Sequence, residues 1–156
     1  MASRRDQIRM TGSELRAFLE EQRIVQVATI GPRGRPHLVP LWYVVDGTEL
    51  RGWTYAASQK ARNLERDPRA TISIDDGVRY HELRGVMMEC DVAVERDAER
   101  VADYGFALFE RYGEEDGGLS REVREMVLRQ ARKRVGLRFS PTRTVTWDHR
   151  KLEGVY

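Results

Sequence analysis

Polar and cationic groups suited to binding an anion are concentrated in the run Trp53-Thr54-Tyr55-Ala56-Ala57-Ser58-Gln59-Lys60-Ala61-Arg62-Asn63-Leu64. It places two hydroxyls, Thr54 and Ser58, close to two cations, Lys60 and Arg62, and to the carboxamide of Asn63. If a strand ends near Thr54 and a helix starts at Ser58, the hydroxyls and the unpaired amides of the first helical turn converge with the two cations. That combination holds an anion such as a phosphate or a carboxylate. The same residues also suit a solvated helix face, with Asn63 as a cap or a bond to a neighbouring loop.

A second feature lies upstream, in Val39-Pro40-Leu41-Trp42-Tyr43. Proline cannot donate to a ladder, so Pro40 is expected to mark a bulge or a break beside which backbone groups are free to meet something else. Asp46-Gly47 is a hairpin signal joining this run to the strand that ends at Tyr55. That pairing would bring Pro40 close to Thr54–Ala57, so a flat ring could lie along the strand with an acidic tail in the cation cluster. Trp42 and Tyr43 equally suit a core or a dimer interface.

Other chemistries lack their motifs. His37, His81 and His149 stand far apart, and no H-E-x-x-H or C-x-x-C occurs, so no metal site is expected. G-x-S-x-G, a P-loop and G-x-G-x-x-G are absent too, which removes the usual support for hydrolase, NTPase and dinucleotide-binding readings. A formal charge of +2 gives no overall field for nucleic acid or an anionic membrane, so any anion site must be local. The arginine bias, with Lys60, Lys133 and Lys151 the only lysines among 27 basic residues, is as well explained by codon usage as by phosphate recognition. Cys90 is the single cysteine, and no apolar stretch is long enough for a signal peptide or a membrane span, so a cytoplasmic protein is expected.

The strands and helices around these groups follow from hydrophobic pattern and turn chemistry. The 156 residues fit one domain, and 40% hydrophobic residues suffice for a core. Residues 1–9 read as a flexible arm and 10–156 as a single domain. Thr11 and Glu14 form a capping box for a helix to about Gln22. Strands are expected over 24–30, 37–45 with its break at Pro40, 49–55, 70–75 and 83–94, the last bent at Gly85. Ser58 caps a helix over 59–66 that stops before Pro68. Helices are expected from Asp97 to about Tyr112 and from Ser120 to about Lys133, separated by a break at 113–118. A closing hairpin over 135–139 and 144–147 would have Ser140-Pro141 in its turn. Six or seven strands in meander order, with about four helices, make an α+β antiparallel barrel.

The order of these features, from about Thr11 to Asp148, resembles the split β-barrel flavin and deazaflavin proteins of the pyridoxamine-phosphate-oxidase-like superfamily. The matching pieces are Val27-Ala28-Thr29, Gly34-Arg35-Pro36-His37, Pro40-Leu41-Trp42-Tyr43 and Lys60-Ala61-Arg62-Asn63-Leu64, followed by Arg66-Asp67-Pro68-Arg69-Ala70. The resemblance implies a split barrel with flanking helices that forms a homodimer with cofactor sites at the interface. It makes Lys60 the phosphate-binding lysine, helped by Thr54, Ser58, Arg62 and Asn63, with backbone amides around Val39, Pro40, Leu41 and Trp42 lining the ring. Val78–His81 or Trp147-Asp148-His149 would approach from the second subunit.

The C-terminus, Trp147-Asp148-His149-Arg150-Lys151-Leu152, lacks the Arg-Leu-His tail of the vitamin oxidase. The chain is more similar to the branch that uses coenzyme F420. The expected activity is hydride transfer from reduced F420 to an electron-poor organic acceptor. The alternatives are an FMN-binding oxidase or reductase and a non-catalytic cofactor carrier or sensor. The cofactor carries the hydride, so no catalytic side chain is required; His149, Tyr80, His81 and water are the candidate proton donors.

Overall fold

The computed structural model describes residues 3–113 and 118–153. Residues 1–2, four positions of the expected 113–118 break and the last three residues lie outside the described ones. The elements are α1 (Arg4–Gln7), α2 (Gly12–Glu21), β1 (Val25–Ile30), β2 (Pro36–Leu41), β3 (Val44–Asp46), β4 (Glu49–Tyr55), α3 (Gln59–Arg66), β5 (Arg69–Asp76), β6 (Arg84–Glu95), α4 (Ala98–Tyr112), α5 (Arg121–Ala131) and β7 (Arg134–Asp148). Short 3-10 turns cover Tyr80–Glu82 and His149–Leu152.

Local chemistry sets the boundaries. Thr11, Ser58, Asp97 and Ser120 each accept from a backbone amide of the first turn and start α2, α3, α4 and α5. In the expected N-terminal arm, Ser3 and Asp6 form a capping box around the single turn α1. The Ile8 carbonyl then accepts from the Asp148 amide at 2.7 Å. Gly47, at φ +63°, supplies the left-handed turn residue of the β3–β4 hairpin.

The seven strands form one antiparallel sheet in the order β2-β1-β5-β6-β7-β4-β3, so the expected meander order is corrected. β4 pairs with β7 rather than with its successor β5, and β2 does not pair with β3. The two outermost strands, β2 and β3, are joined by Trp42 and Tyr43 alone. Two residues span less than roughly 11 Å, so the sheet must curl until its edges nearly meet, which makes it a split barrel. Val27, Ile72, Val86, Leu137 and Phe139 fill the interior, with Tyr43 buried at the seam.

Three expectations about strands are corrected. The break in the second apolar run falls at Trp42–Tyr43 rather than at Pro40, which sits inside β2 opposite Gln26. β2 is an edge strand, so a missing N–H there costs no ladder bond. β6 has its irregularity at Glu89/Cys90 rather than at Gly85. Gly85 is small for another reason: the Trp147 ring lies where a Cβ would go. The closing hairpin is a single 15-residue strand, β7, with Ser140-Pro141 in its middle. β7 is flanked by β4 only as far as Phe139, and beyond it pairs with β6 alone.

The α4–α5 hairpin is inserted between β6 and β7. It leaves after Glu95, returns before Gly136, and those two residues are partners on the ladder. Its own core of Val101, Ala102, Val127 and Ala131 packs with Trp53, Phe106 and Phe109.

Candidate functional site

β4 ends and α3 begins as the sequence implied, and the intervening turn brings Thr54, Ser58 and Lys60 together. The Lys60 ammonium donates to Thr54 Oγ1 at 3.0 Å. Thr54 Oγ1 donates to Ser58 Oγ at 3.4 Å, and Ser58 Oγ accepts from the Ala61 amide at 3.3 Å. Thr54 is buried and Lys60 half-buried. Burial, and then the charge of Arg134, hold Lys60 below the ordinary lysine value.

Arg134 is a candidate that the sequence did not reveal. It opens β7 directly opposite Tyr55, and its guanidinium lies 4.0 Å from the Tyr55 ring centre and 4.6 Å from that of Trp53. Its Nε is buried without a hydrogen-bond partner. Among the described residues no carboxylate pairs with Lys60 or Arg134, whereas Arg69, Arg84 and Arg150 all have acidic partners. Two neighbouring cations, partly withdrawn from water and uncompensated, are a standing demand for an anion.

The other expected residues are distributed as follows. Asn63 is fully buried and spent on structure: its amide donates to Thr29 Oγ1 at 3.0 Å, and its carbonyl accepts from Gln59 at 2.8 Å and Arg66 at 3.2 Å. It ties α3 to β1. Arg62 is exposed on α3 and makes no ion pair among the described residues. Val39, Pro40 and Leu41 lie on the free edge strand β2, whose outward backbone groups have no second strand to pair with. Pro40, Leu41 and Trp42 share one cleft of about 370 Å³ with Trp53, Gln130 and Arg134. Arg134 therefore lines the cleft and lies near enough to Lys60 for their charges to interact. Gln130 also shows a buried, unpartnered oxygen there.

The proton-donor candidates are not brought to this place within one chain. His149 packs edge-on to Tyr80, with ring centres 4.7 Å apart, beside the Arg84 end of β6. Arg134 lies beyond the opposite end, and the 12 residues of β6 at about 3.3 Å each make that roughly 35–40 Å along the strand. Cys90 is buried and its thiol is pushed up to about 12 by that burial, which leaves it protonated and inert. Among the described residues no group of three potential metal ligands occurs, and no helix is long and apolar enough to cross a membrane.

The fold has counterparts in known proteins. A crystal structure of the conserved hypothetical protein Rv2991 from Mycobacterium tuberculosis superposes with a TM-score of 0.88 at 39% identity, covering 99% of this chain and 95% of that one. A structure described as an F420 reductase superposes with a TM-score of 0.63 at 22% identity over 82% of this chain and 93% of its own, which speaks to fold alone. In sequence, the F420H(2)-dependent biliverdin reductase of Mycobacterium tuberculosis is 34% identical over 86 residues, spanning 53% of this chain and 63% of that protein. The family model described as pyridoxamine 5'-phosphate oxidase matches residues 11–148, which include the three strands that line the cleft, the Lys60 helix and the whole barrel. The chain belongs to the pyridoxamine 5'-phosphate oxidase family.

Proposed function

We propose that the chain is an oxidoreductase that holds a deazaflavin, coenzyme F420, on this cluster and serves an electron-poor organic acceptor. The observation that carries the proposal is the pair of uncompensated cations, Lys60 and Arg134, beside a cleft walled by Pro40, Trp42 and Trp53. The residues fit such a group. Lys60, Thr54 and Ser58, with the first amides of α3, suit an acidic tail, and the free edge of β2 at Val39–Trp42 offers backbone groups to a flat ring. The bound coenzyme supplies the hydride, two electrons with a proton, and water supplies any second proton the acceptor takes up. The protein's share is to orient ring and acceptor and to keep water from between them. The name of the biliverdin reductase relative favours F420 over FMN. At the C-terminus, Asp148 grips Arg150 at 2.7 and 2.8 Å, which argues against a substrate phosphate there.

A homodimer is part of the proposal. The outer face of β2-β1-β5-β6 carries Leu38, Ala28, Thr71 and Met87 in positions that are not buried. Leu38 is 64% exposed. A second copy on that face would also be the source of Val78–His81 and Trp147–His149 near the cleft.

Calorimetric titration with F420 and with FMN tests the assignment. F420 should bind at micromolar affinity or tighter, and Lys60→Ala should weaken it by about 1.5–3 kcal/mol, the size of a lost charge-assisted hydrogen bond, with the melting temperature unchanged. Binding of FMN alone would reverse the choice of cofactor. Unaltered F420 affinity in the variant would remove the cluster from the site.

A further inference from the structure

The single turn α1 buries no residue, yet the chain that follows it is pinned to the end of β7. The Asp148 amide donates to the Ile8 carbonyl at 2.7 Å, the Met10 amide donates to Thr146 Oγ1 at 3.0 Å, and the Lys151 ammonium donates to the Arg9 carbonyl at 2.7 Å. Arg5 and Arg9 are thereby presented beside Arg143 of β7, and all three line a pocket of about 520 Å³. That volume is within the range of small-molecule sites. After Phe139, β7 has no strand neighbour but β6, so residues 143–146 form a free edge. All four of them line the pocket. Side chains alternate along a strand, so a pocket lined by four consecutive residues meets the edge and its backbone groups rather than one face. Thr11 and Gly12, at the start of α2, supply another wall.

Charge narrows the occupant. Among the described residues no acidic side chain lines this pocket. Arg5 makes no ion pair among the described residues, whereas Arg9 and Arg143 each spend one nitrogen, on Asp6 at 3.3 Å and on Glu89 at 2.9 Å. Neither of those carboxylates belongs to the lining. Glu14, in the first turn of α2, is engaged by the Thr11 amide at 2.7 Å and the Lys151 ammonium at 2.6 Å. Three guanidiniums held round one space repel one another, and a bound anion relieves that repulsion. Each planar fork matches a phosphate or a carboxylate, and three forks from three segments favour several acid groups over one. We propose that this pocket is an anion site in its own right and takes a small molecule bearing two or more linked acid groups, phosphates or carboxylates, spread over Arg5, Arg9 and Arg143. It is separate from the Lys60 cluster: Arg143 stands nine residues along β7 from Arg134, roughly 30 Å at the rise of a strand.

Calorimetric titration of the full chain tests this, with tripolyphosphate and tricarballylate as the phosphate and carboxylate probes and inorganic phosphate as the single-group control. At least one probe should bind one site per chain with submillimolar affinity and at least tenfold more tightly than inorganic phosphate, and the tighter of the two names the acid group. Arg5→Gln breaks no ion pair and should weaken that probe fivefold or more, as should Arg143→Gln. Lys60→Ala should change it by less than twofold, whatever it does to F420. Absence of saturable binding by both probes at millimolar concentration would overturn the proposal. So would affinity unmoved by Arg5→Gln and Arg143→Gln, or binding lost in Lys60→Ala, which would put the probe on the Lys60 cluster instead. The comparison with inorganic phosphate needs no variant, so a poorly folding substitution does not spoil it.

Discussion

Lys60 and Asn63 stand three positions apart on one short helix, and the structure gives them opposite occupations. Every polar atom of the Asn63 side chain except one donor hydrogen is engaged inside the protein, whereas Lys60 has a single neutral partner and a like charge for a neighbour. Because the Lys60 ammonium is held below the ordinary value of 10.5, anion binding, which needs the charged form, should weaken as pH rises through that lowered value. F420 titrations between pH 7 and 10.5 should show affinity falling below 10.5, and Lys60→Arg should flatten the profile. A flat profile for the unaltered chain would mean that the ammonium does not face the anion. Thr54, Ser58 and Lys60 were legible in the sequence because a single turn joins them. Arg134 was not, since it reaches Tyr55 through a pairing between strands far apart in the chain, and no local pattern encodes that register. For Asn63 the sequence left both an anion contact and a structural hydrogen bond open, because it reveals residue type but not depth.

Among the elements, α4 shows how tertiary packing reverses a local preference. Gly105 lowers helix propensity, and replacing it by alanine would improve an isolated helix by about 1 kcal/mol. In the folded chain a Cβ there would lie 2.5 Å from the Trp53 ring and 2.7 Å from Val127. Gly105→Ala should therefore destabilise the protein by about 1–2 kcal/mol net, read as an earlier urea midpoint, and disturb the Trp53 wall of the cleft. A later midpoint would show that the hairpin has room to move. Proline gave the less reliable signals. Pro40 and Pro141 both read as interruptions, yet each lies within a strand, where ladder neighbours are missing on one side. Helix caps were legible because Thr11, Ser58, Asp97 and Ser120 act on amides three residues away. That range is short enough for sequence to carry.

At the scale of the whole molecule, class was legible, since periodicity and turn chemistry are local, while strand order was not, and the total of seven strands results from one expected strand splitting into β2 and β3 as two others merged into β7. Joining β4 to β7 and wrapping β3 round to β2 are decided by which curled arrangement buries Val27, Ile72, Leu137 and Phe139 together. The uncovered outer face leads to a prediction at the same scale. Sedimentation velocity at micromolar concentration should give a dimer, and Leu38→Glu should produce a folded monomer with weakened F420 binding. A monomeric parent chain would sink the two-copy site. The α4–α5 insertion carries a different implication. Its departure and return points are cross-strand neighbours, so the excursion hangs from the cylinder like a handle from a cup, and its length can change without shifting any barrel register. Exchanging the handle would rebuild the Phe109, Met126 and Gln130 wall of the cleft while leaving the Thr54–Ser58–Lys60 cluster as it stands.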